Sequence, residues 1–323
     1  MTITVKKETL DSLDTYRRMP ELVWPVPFIL PHWLKSWWSV FSEGSGLYLS
    51  ALYADDKVIG IAPLRLKDKT AMFIGDPDVC DYVDFIAVPG REEEFCRALL
   101  DNLQKDHIGV LEMKDVRPDS MVIKNMVTAA KARGLEVVTT QNAVNVEMEL
   151  PSDWELYLES LSTKQRHEAR RKLRRLQESG NIEYHYIEES AAVPEAMDTF
   201  FKMFVESRRD KAEFLTKQRE IFFKNMTSNM ADAGLLKLGV LSLDGKLVAQ
   251  LICFDYNNCV YLYNSGYEPD YVSLSVGMLS KTMAIKDAIE KGKKTFDFLK
   301  GAETYKFHLG GKEVPLYSCT ISL

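Results

Sequence analysis

Residues 260–306 read VYLYNSGYEPDYVSLSVGMLSKTMAIKDAIEKGKKTFDFLKGAETYK, a segment that passes from strand to helix to strand. Tyr261, Tyr263 and the flanking apolar residues alternate as in a strand, and Asn264-Ser265-Gly266 interrupts them. Ser275-Val276-Gly277 then opens an amphipathic helix that stops near Gly292, and KTFDFL follows as a second strand. A strand that loosens beside a helix N-terminus leaves backbone N–H groups able to receive an anion or a polarised carbonyl. That geometry suits acyl transfer.

Outward from this segment, the same order of elements is read twice. In the second half, LLKLGVLSLDGKLVAQLICFDYNNCVYLYNSGY is a three-strand meander with turns at Asp244-Gly245 and Asn257-Asn258, followed by helix, strand KTFDFL and strand LYSCTI. In the first half, LYLSALYADDKVIGIAPLRLK gives two strands joined at Asp55-Asp56, and strand-like TAMFIG and DYVDFIAV extend the meander. Helices are expected from Arg91 to about Lys105 and from Asp119 to Arg133, separated by the apolar run GVLEM. Strands LEVVTT and NVEMEL close the half. DDKVIGIAPL and DGKLVAQLIC share a phrase, so a duplicated unit is expected, with domains 1–150 and 151–323 joined at Pro151. The fold class expected is α/β, each domain a mixed, mostly antiparallel sheet flanked by helices.

A chain of 323 residues can build two cores, and its net charge of −6 argues against bulk nucleic-acid binding. The first twenty residues lack the apolar core of a signal peptide, and no apolar run approaches a membrane span. Cys80, Cys96, Cys253, Cys259 and Cys319 are odd in number and scattered, which suits a reducing cytoplasm. Neither they nor His32, His107, His167, His185 and His308 have metal-ligand spacing, so no metal is expected.

SLSTKQRHEARRKLRRLQESG reads as a helix with Ser162 and Gln165 at capping-box spacing and an apolar stripe of Leu161, Ala169, Leu173 and Leu176. Lys164, Arg166, Arg170, Arg171, Lys172, Arg174 and Arg175 cover its other faces. They form either a solvated basic face or a seat for the phosphates of a nucleotide-linked substrate or an RNA end. The helices from Pro194 to Arg209 and from Lys217 to Met230 read as cover for the second sheet. Trp33, Trp37 and Trp38 read as core, with a carbohydrate platform as the alternative.

From Ser162 to Lys306 the chain resembles the second domain of the FemAB-like, CelD/BioF2-type branch of the GNAT acyltransferase superfamily. LSTKQRHEARRKLRRL resembles that branch's basic first helix, LSLDGKLVAQLICF its central hairpin, YNSGYEPDYVSLSVGMLS its cofactor turn and FDFLKGAETYKFHLGG its closing motif. PHWLKSWWSVF, DDKVIGIAPL and GDPDVCDYVDFI resemble its degenerate first domain. The resemblance implies tandem GNAT domains, the second holding the acyl-donor cleft and the first shaping the acceptor pocket. It implies acetyl-CoA or another acyl-CoA as donor, held at Asn264, Ser265, Gly266, Ser275, Val276, Gly277 and Met278. The usual loop of the superfamily, R/Q-x-x-G-x-G/A, is reduced here to one glycine, Gly277. Fem enzymes of the superfamily use aminoacyl-tRNA instead.

Transfer to an amine needs a proton acceptor, donors for the developing oxyanion and a route for the leaving group. The oxyanion donors expected are backbone N–H groups near Asn264, Ser265 and Gly266, the alternative being a simple bulge. Asp297 reads as a base or as a buried structural carboxylate, and Glu303 and Lys306 as site residues or as an i, i+3 pair. Tyr305 is the candidate to protonate the leaving group, and Lys306 resembles the lysine of the Fem closing motif. Asp81, Tyr82 and Asp84 are candidate acceptor contacts, or else end a strand after Asp76-Pro77-Asp78. Arg208 and Arg209 are acceptor contacts through the resemblance, or cations at a helix C-terminus.

The function expected is N-acyl transfer to a small-molecule or nucleotide-sugar amine in the cytoplasm, with cell-envelope or exopolysaccharide synthesis as the setting the family suggests. An aminoacyl-tRNA-dependent Fem-type peptidyltransferase is the first alternative, disfavoured because no long helical arm is evident. A non-catalytic GNAT-scaffold binding protein is the second.

Overall fold

The computed structural model describes residues 2–75 and 78–323, so the expected turn residues Asp76 and Pro77 lie outside the described residues. The chain divides into two compact units, residues 1–144 with 314–323 and residues 145–313. The first unit begins β1 (Ile3–Lys7), α1 (Leu13–Arg17), α2 (Pro31–Phe41), β2 (Gly46–Ala54), β3 (Lys57–Lys67), β4 (Thr70–Phe73) and β5 (Ile86–Ala87). It continues with α3 (Glu92–Lys105), β6 (Val110–Val116), α4 (Val127–Ala132) and β7 (Val137–Glu149), within which the boundary falls. The second unit holds α5 (Trp154–Ser160), α6 (Thr163–Glu178), β8 (Ile182–Ile187), α7 (Val193–Ser207), α8 (Arg209–Phe214) and α9 (Lys217–Asp232). The strands β9 (Leu236–Leu243), β10 (Lys246–Tyr256) and β11 (Cys259–Tyr267) come next, then α10 (Val276–Glu290), β12 (Thr295–Lys300), α11 (Thr304–His308) and β13 (Lys312–Ser322).

The strand order in the first unit is β1-β2-β3-β4-β6-β13, with β5 on β3, and in the second β7-β12-β11-β10-β9-β8. Each unit contains an antiparallel meander, a helix and a return strand parallel to the last meander strand: β4–α3–β6 in one, β11–α10–β12 in the other. The hairpins turn where expected, because Asp55-Asp56, Asp244-Gly245 and Asn257-Asn258 all take positive φ, the pair that a two-residue turn needs to match strand twist. Short polar Asp and Asn side chains tolerate that region better than others.

Four readings change. DYVDFIAV is a strand only at Ile86–Ala87, because the Asp84 carboxylate accepts the N–H groups of Phe85 (2.9 Å) and Met121 (2.8 Å) and draws the backbone from the sheet. LEVVTT and NVEMEL are one strand, β7, which stays extended through exposed Gln141 and Asn142. IEYHYI, passed over in the sequence, is β8, paired to β9 from Ile182↔Leu243 to Ile187↔Leu238. The last strand, read with the second half, pairs with β6 of the first unit through Cys319↔Met113 and Ile321↔Leu111. Two β-strands rather than the single join at Pro151 therefore carry the chain across the boundary.

In the second unit α10 packs Ala284, Ile285, Ala288 and Ile289 against Leu251, Cys253, Val260, Leu262, Phe296 and Phe298 of the sheet. On the other side α7 and α9 contribute Phe200, Phe204, Phe222 and Phe223, all buried. Trp33 and Trp37 of α2 are core, as expected. No helix of the described residues is long and apolar enough to cross a membrane.

Candidate active site

β11 and β12 run parallel for three pairs, Cys259↔Thr295, Val260↔Phe296 and Tyr261↔Asp297, and no later pair joins them among the described residues. Each strand carries its own reason to part. On β11, Ile252↔Asn264 is followed by Cys253↔Leu262, so Tyr263 is an extra residue, a bulge that bends its strand. The interruption read at Asn264-Ser265-Gly266 is this bulge, one residue earlier, and the strand resumes to Tyr267. On β12, Leu299 sits at φ 63° and Gly301 at φ 107°, turning the strand end toward α11.

Asp297 and Lys306 hold that turn. Asp297 is 1% exposed, and its Oδ1 accepts from Leu299 N–H at 2.8 Å and from Asn145 Nδ2 at 2.9 Å. Lys306 is 2% exposed and its Nζ donates to the carbonyls of Leu299 (2.9 Å), Lys300 (2.8 Å) and Gly301 (3.0 Å). An ammonium has three protons, so these three carbonyls occupy it, with Glu303 Oε2 alongside at 3.0 Å. Of the residues read from the sequence as catalytic candidates, Lys306 thus has its ammonium on backbone carbonyls, and Asp297 divides Oδ1 between a backbone N–H and the Asn145 side chain. Glu303 remains half-exposed, and Tyr305, whose hydroxyl burial pushes up in pKa, lies within its field.

Two lysines that the sequence reading passed over stand in the same place. Lys281 of α10 is 6% exposed, donates to Gly277 O at 2.6 Å, and lies 5.0 Å from the Tyr305 ring centroid. Burial, and then the charge of Lys211, bring its pKa down to about 7. Lys211 of α8 donates to Ser265 O on β11 and lies 4.8 Å from the Phe204 ring. The side chain is part-exposed, and the desolvation of its amine, then Arg208, bring it down to about 8. Neither has a carboxylate within ion-pair distance among the described residues. Buried Cys253 faces Lys281, its thiol pushed up to about 12 by desolvation. The signal for Lys281 was present: it stands three, four and seven residues before Ala284, Ile285 and Ala288, inside the apolar stripe. Lys211 gave none.

At the start of α10, Ser275 takes φ 58° without a side-chain cap, Val276 is buried, and a Cβ on Gly277 would meet Tyr267 Cδ1 at 2.7 Å. Gly277 is thus required by the Tyr267 ring. Gly266 is similarly required by α7, whose Phe204 N would lie 2.8 Å from an added Cβ. Met278 Sδ receives Lys172 Nζ at 3.4 Å and borders a groove of about 420 Å³ with Lys164, His167, Glu168, Arg171, Lys172 and His308, in which Glu168 pairs with Arg171 at 2.7 Å and Lys172 at 3.4 Å. The α6 end of this groove is fixed by the expected capping box, Gln165 N–H to Ser162 Oγ and Ser162 N–H to Gln165 Oε1, both 3.3 Å. Its cations beside a helix start fit a phosphate-bearing carrier.

The other candidates separate. Arg208 grips Asp210 through two bonds (2.9 and 2.7 Å), and its charge is felt by Lys211 and Tyr305. Arg209 is 94% exposed beside Glu213. Asp81, Tyr82 and Asp84 belong to the first unit. Tyr82 is buried edge-on to Phe28 with the Arg117 guanidinium 5.2 Å over its ring, and Asp84 is the buried backbone acceptor described above. Among the described residues no group of three His, Cys, Asp or Glu side chains could hold a metal ion.

Against known proteins, the chain has the fold of FemX, with TM-score 0.65 at 14% identity over 98% of this chain and 96% of that one. A conserved protein of unknown function from Bacteroides thetaiotaomicron gives 0.61 at 13% identity over the full length of both. L-PGS from Bacillus licheniformis gives 0.54 at 8% identity over 88% of this chain and 90% of that one. At such identities the likeness is one of fold. Residues 163–307, which carry the opening between β11 and β12, match the family model described as Acetyltransferase (GNAT) domain, in support of the GNAT superfamily. No curated protein matches the sequence.

Proposed function

We propose that the chain is a GNAT-type N-acyltransferase, moving an acyl group from an acyl-CoA to an amine of a small or sugar-linked acceptor. The parting of β11 from β12 beside the start of α10 is the observation that carries this reading. Coenzyme A would supply the acyl group as an activated thioester, and Lys164, Arg171, Lys172 and the first turn of α10 are the residues to hold its phosphates. The bulge at Tyr263 turns β11 backbone toward the opening, where N–H groups can stabilise an oxyanion. Glu303 is the exposed carboxylate able to take up the proton of the amine, and Tyr305 the hydroxyl able to return one to the leaving group. Asp297 and Lys306 position the turn that carries them.

Thermal-shift measurements with a panel of acyl-CoA thioesters test this, since a ligand of the native state raises the melting temperature by mass action. Stabilisation by at least one thioester is expected. The basic face of α6 favours a second reading, a Fem-type transferase using aminoacyl-tRNA. Stabilisation by charged tRNA and by no thioester would replace the first reading with the second, and silence from both would leave a binding module.

A further inference from the structure

The first unit has an opening of its own. β4 and β6 run parallel through Thr70↔Val110, Ala71↔Leu111 and Met72↔Glu112, and no later pair joins them among the described residues. On β6, Met113↔Cys319 is followed by Val116↔Tyr317, so Lys114 and Asp115 together face Ser318 and the strand bulges. Asp115 takes φ 52° there, a conformation that a short polar side chain tolerates. A cavity of about 150 Å³ lies where the strands part, lined by Met72 and Phe73 of β4, Arg65 of β3 and Glu112, Lys114 and Asp115 of β6, with Val83 on the facing loop. Its charges are two of each sign. Arg65 lies 5.2 Å from the Trp37 ring centroid and donates to Ser45 Oγ at 3.1 Å. Lys114 pairs with Glu112 at 3.1 Å, both reaching solvent. Asp115 is 3% exposed and accepts from Asn142 Nδ2 at 2.5 Å. All of these residues belong to the first unit.

We propose that this cavity binds a small zwitterion, an α-amino acid no larger than valine, with its carboxylate on Arg65, its ammonium between Asp115 and Glu112 and its side chain against Met72, Phe73 and Val83. A volume of about 150 Å³ is that of roughly five waters, which limits the ligand to roughly five to eight non-hydrogen atoms and leaves out a thioester carrier. A guanidinium has five N–H donors and a carboxylate about four lone-pair sites, so Arg65 and Asp115 can keep the bonds named above and meet a ligand as well. A lone anion would meet Glu112 and Asp115, and a lone cation Arg65 and Lys114. A ligand carrying both signs sets each against its opposite. An apolar ligand would take water from Asp115 and return no hydrogen bond. The inference stands apart from the acyl-transfer reading, which concerns the second unit.

Isothermal titration calorimetry of the full chain at pH 7 with glycine, L-alanine and L-valine tests the site. One L-alanine per chain is expected, with propionate and L-alaninamide each bound at least about tenfold more weakly and L-tryptophan not at all. Asp115→Asn keeps an acceptor for Asn142 and a residue that tolerates positive φ, and is expected to weaken L-alanine at least about tenfold. Glu112→Gln, whose side chain reaches solvent, is expected to weaken it about threefold and carries the test where Asp115→Asn does not fold. An affinity unchanged in both variants would overturn the site. So would propionate or L-alaninamide binding as well as L-alanine, L-tryptophan binding as well as L-valine, or no binding of any of the three amino acids up to about 10 mM by calorimetry and thermal shift together. Binding that survives Asp115→Asn and is lost in Glu303→Gln would put the amino acid in the second unit and overturn the site as well.

Discussion

Replacing Lys281 by methionine should stabilise the empty protein at acid pH and not at alkaline pH. Methionine keeps the length of the side chain and removes the charge. In the unfolded chain the amine titrates near 10.5, in the fold near 7. Between those values the unfolded state binds more protons than the native state, so stability rises with pH across this window and is lowest below pH 7. At about 1.4 kcal/mol for each tenfold difference in proton affinity, the ionised lysine costs about 5 kcal/mol at pH 6 and about 1 kcal/mol at pH 10. The substitution also removes the bond to Gly277 O, worth about 1 kcal/mol. Lys281→Met should therefore be more stable than wild type by about 4 kcal/mol at pH 6 and equal to it within about 1 kcal/mol at pH 10. Urea denaturation followed by far-UV circular dichroism at pH 6, 8 and 10 reads this as a midpoint difference of roughly 1–2 M that closes as pH rises. Parallel curves for the two proteins across the whole range would show that the amine is not withdrawn from water, and the reasoning about the opening would fall with it.

Lys306→Met should cost roughly 3–5 kcal/mol in urea midpoint analysis, because three carbonyls and Glu303 lose their cation together. Lys306→Arg should not restore it, since the planar fork cannot reach three carbonyls around one nitrogen. Asp84 is raised from 3.8 to about 6 by burial against bonds from Met121 and Phe85, so the native state binds more protons than the unfolded chain between those values. Stability should fall by about 2 kcal/mol from this group as pH rises from 4 to 7, and Asp84→Asn, measured against wild type, should remove that fall. Gly277→Ala should destabilise by roughly 1–3 kcal/mol through the clash with Tyr267, and Tyr267→Leu in the same chain should recover most of it in a double-mutant cycle.

What could be read from the sequence was what repeats or what has a local cause. Hairpin turns at Asp-Asp, Asp-Gly and Asn-Asn, the capping box at Ser162, and the helix between two strands of opposite neighbours all rest on contacts within a few residues, and each is where it was expected. The repeated order of meander, helix and parallel return strand was legible for the same reason. The C-terminal strand was not, because its partner β6 lies about two hundred residues away and nothing in LYSCTI distinguishes one sheet from another. The site shows the same division. Gly266, Gly277, Glu303 and Tyr305 lie in the strand–helix–strand segment, yet the two glycines answer to Phe204 and Tyr267, while the candidates Asp297 and Lys306 bond the backbone of the strand end, Asp297 also the Asn145 side chain. Composition marks a carboxylate or an ammonium; only the partners say whether it is spent. Lys211 and Lys281 invert the case, since one gave no signal and the other hid in an apolar stripe, and each is held by a backbone carbonyl and a ring with no carboxylate in ion-pair distance among the described residues. An ammonium buried with a backbone carbonyl and a ring, and with no carboxylate in ion-pair distance among the described residues, is costly, so the proton affinity of Lys281 is set by what surrounds it and not by its residue type.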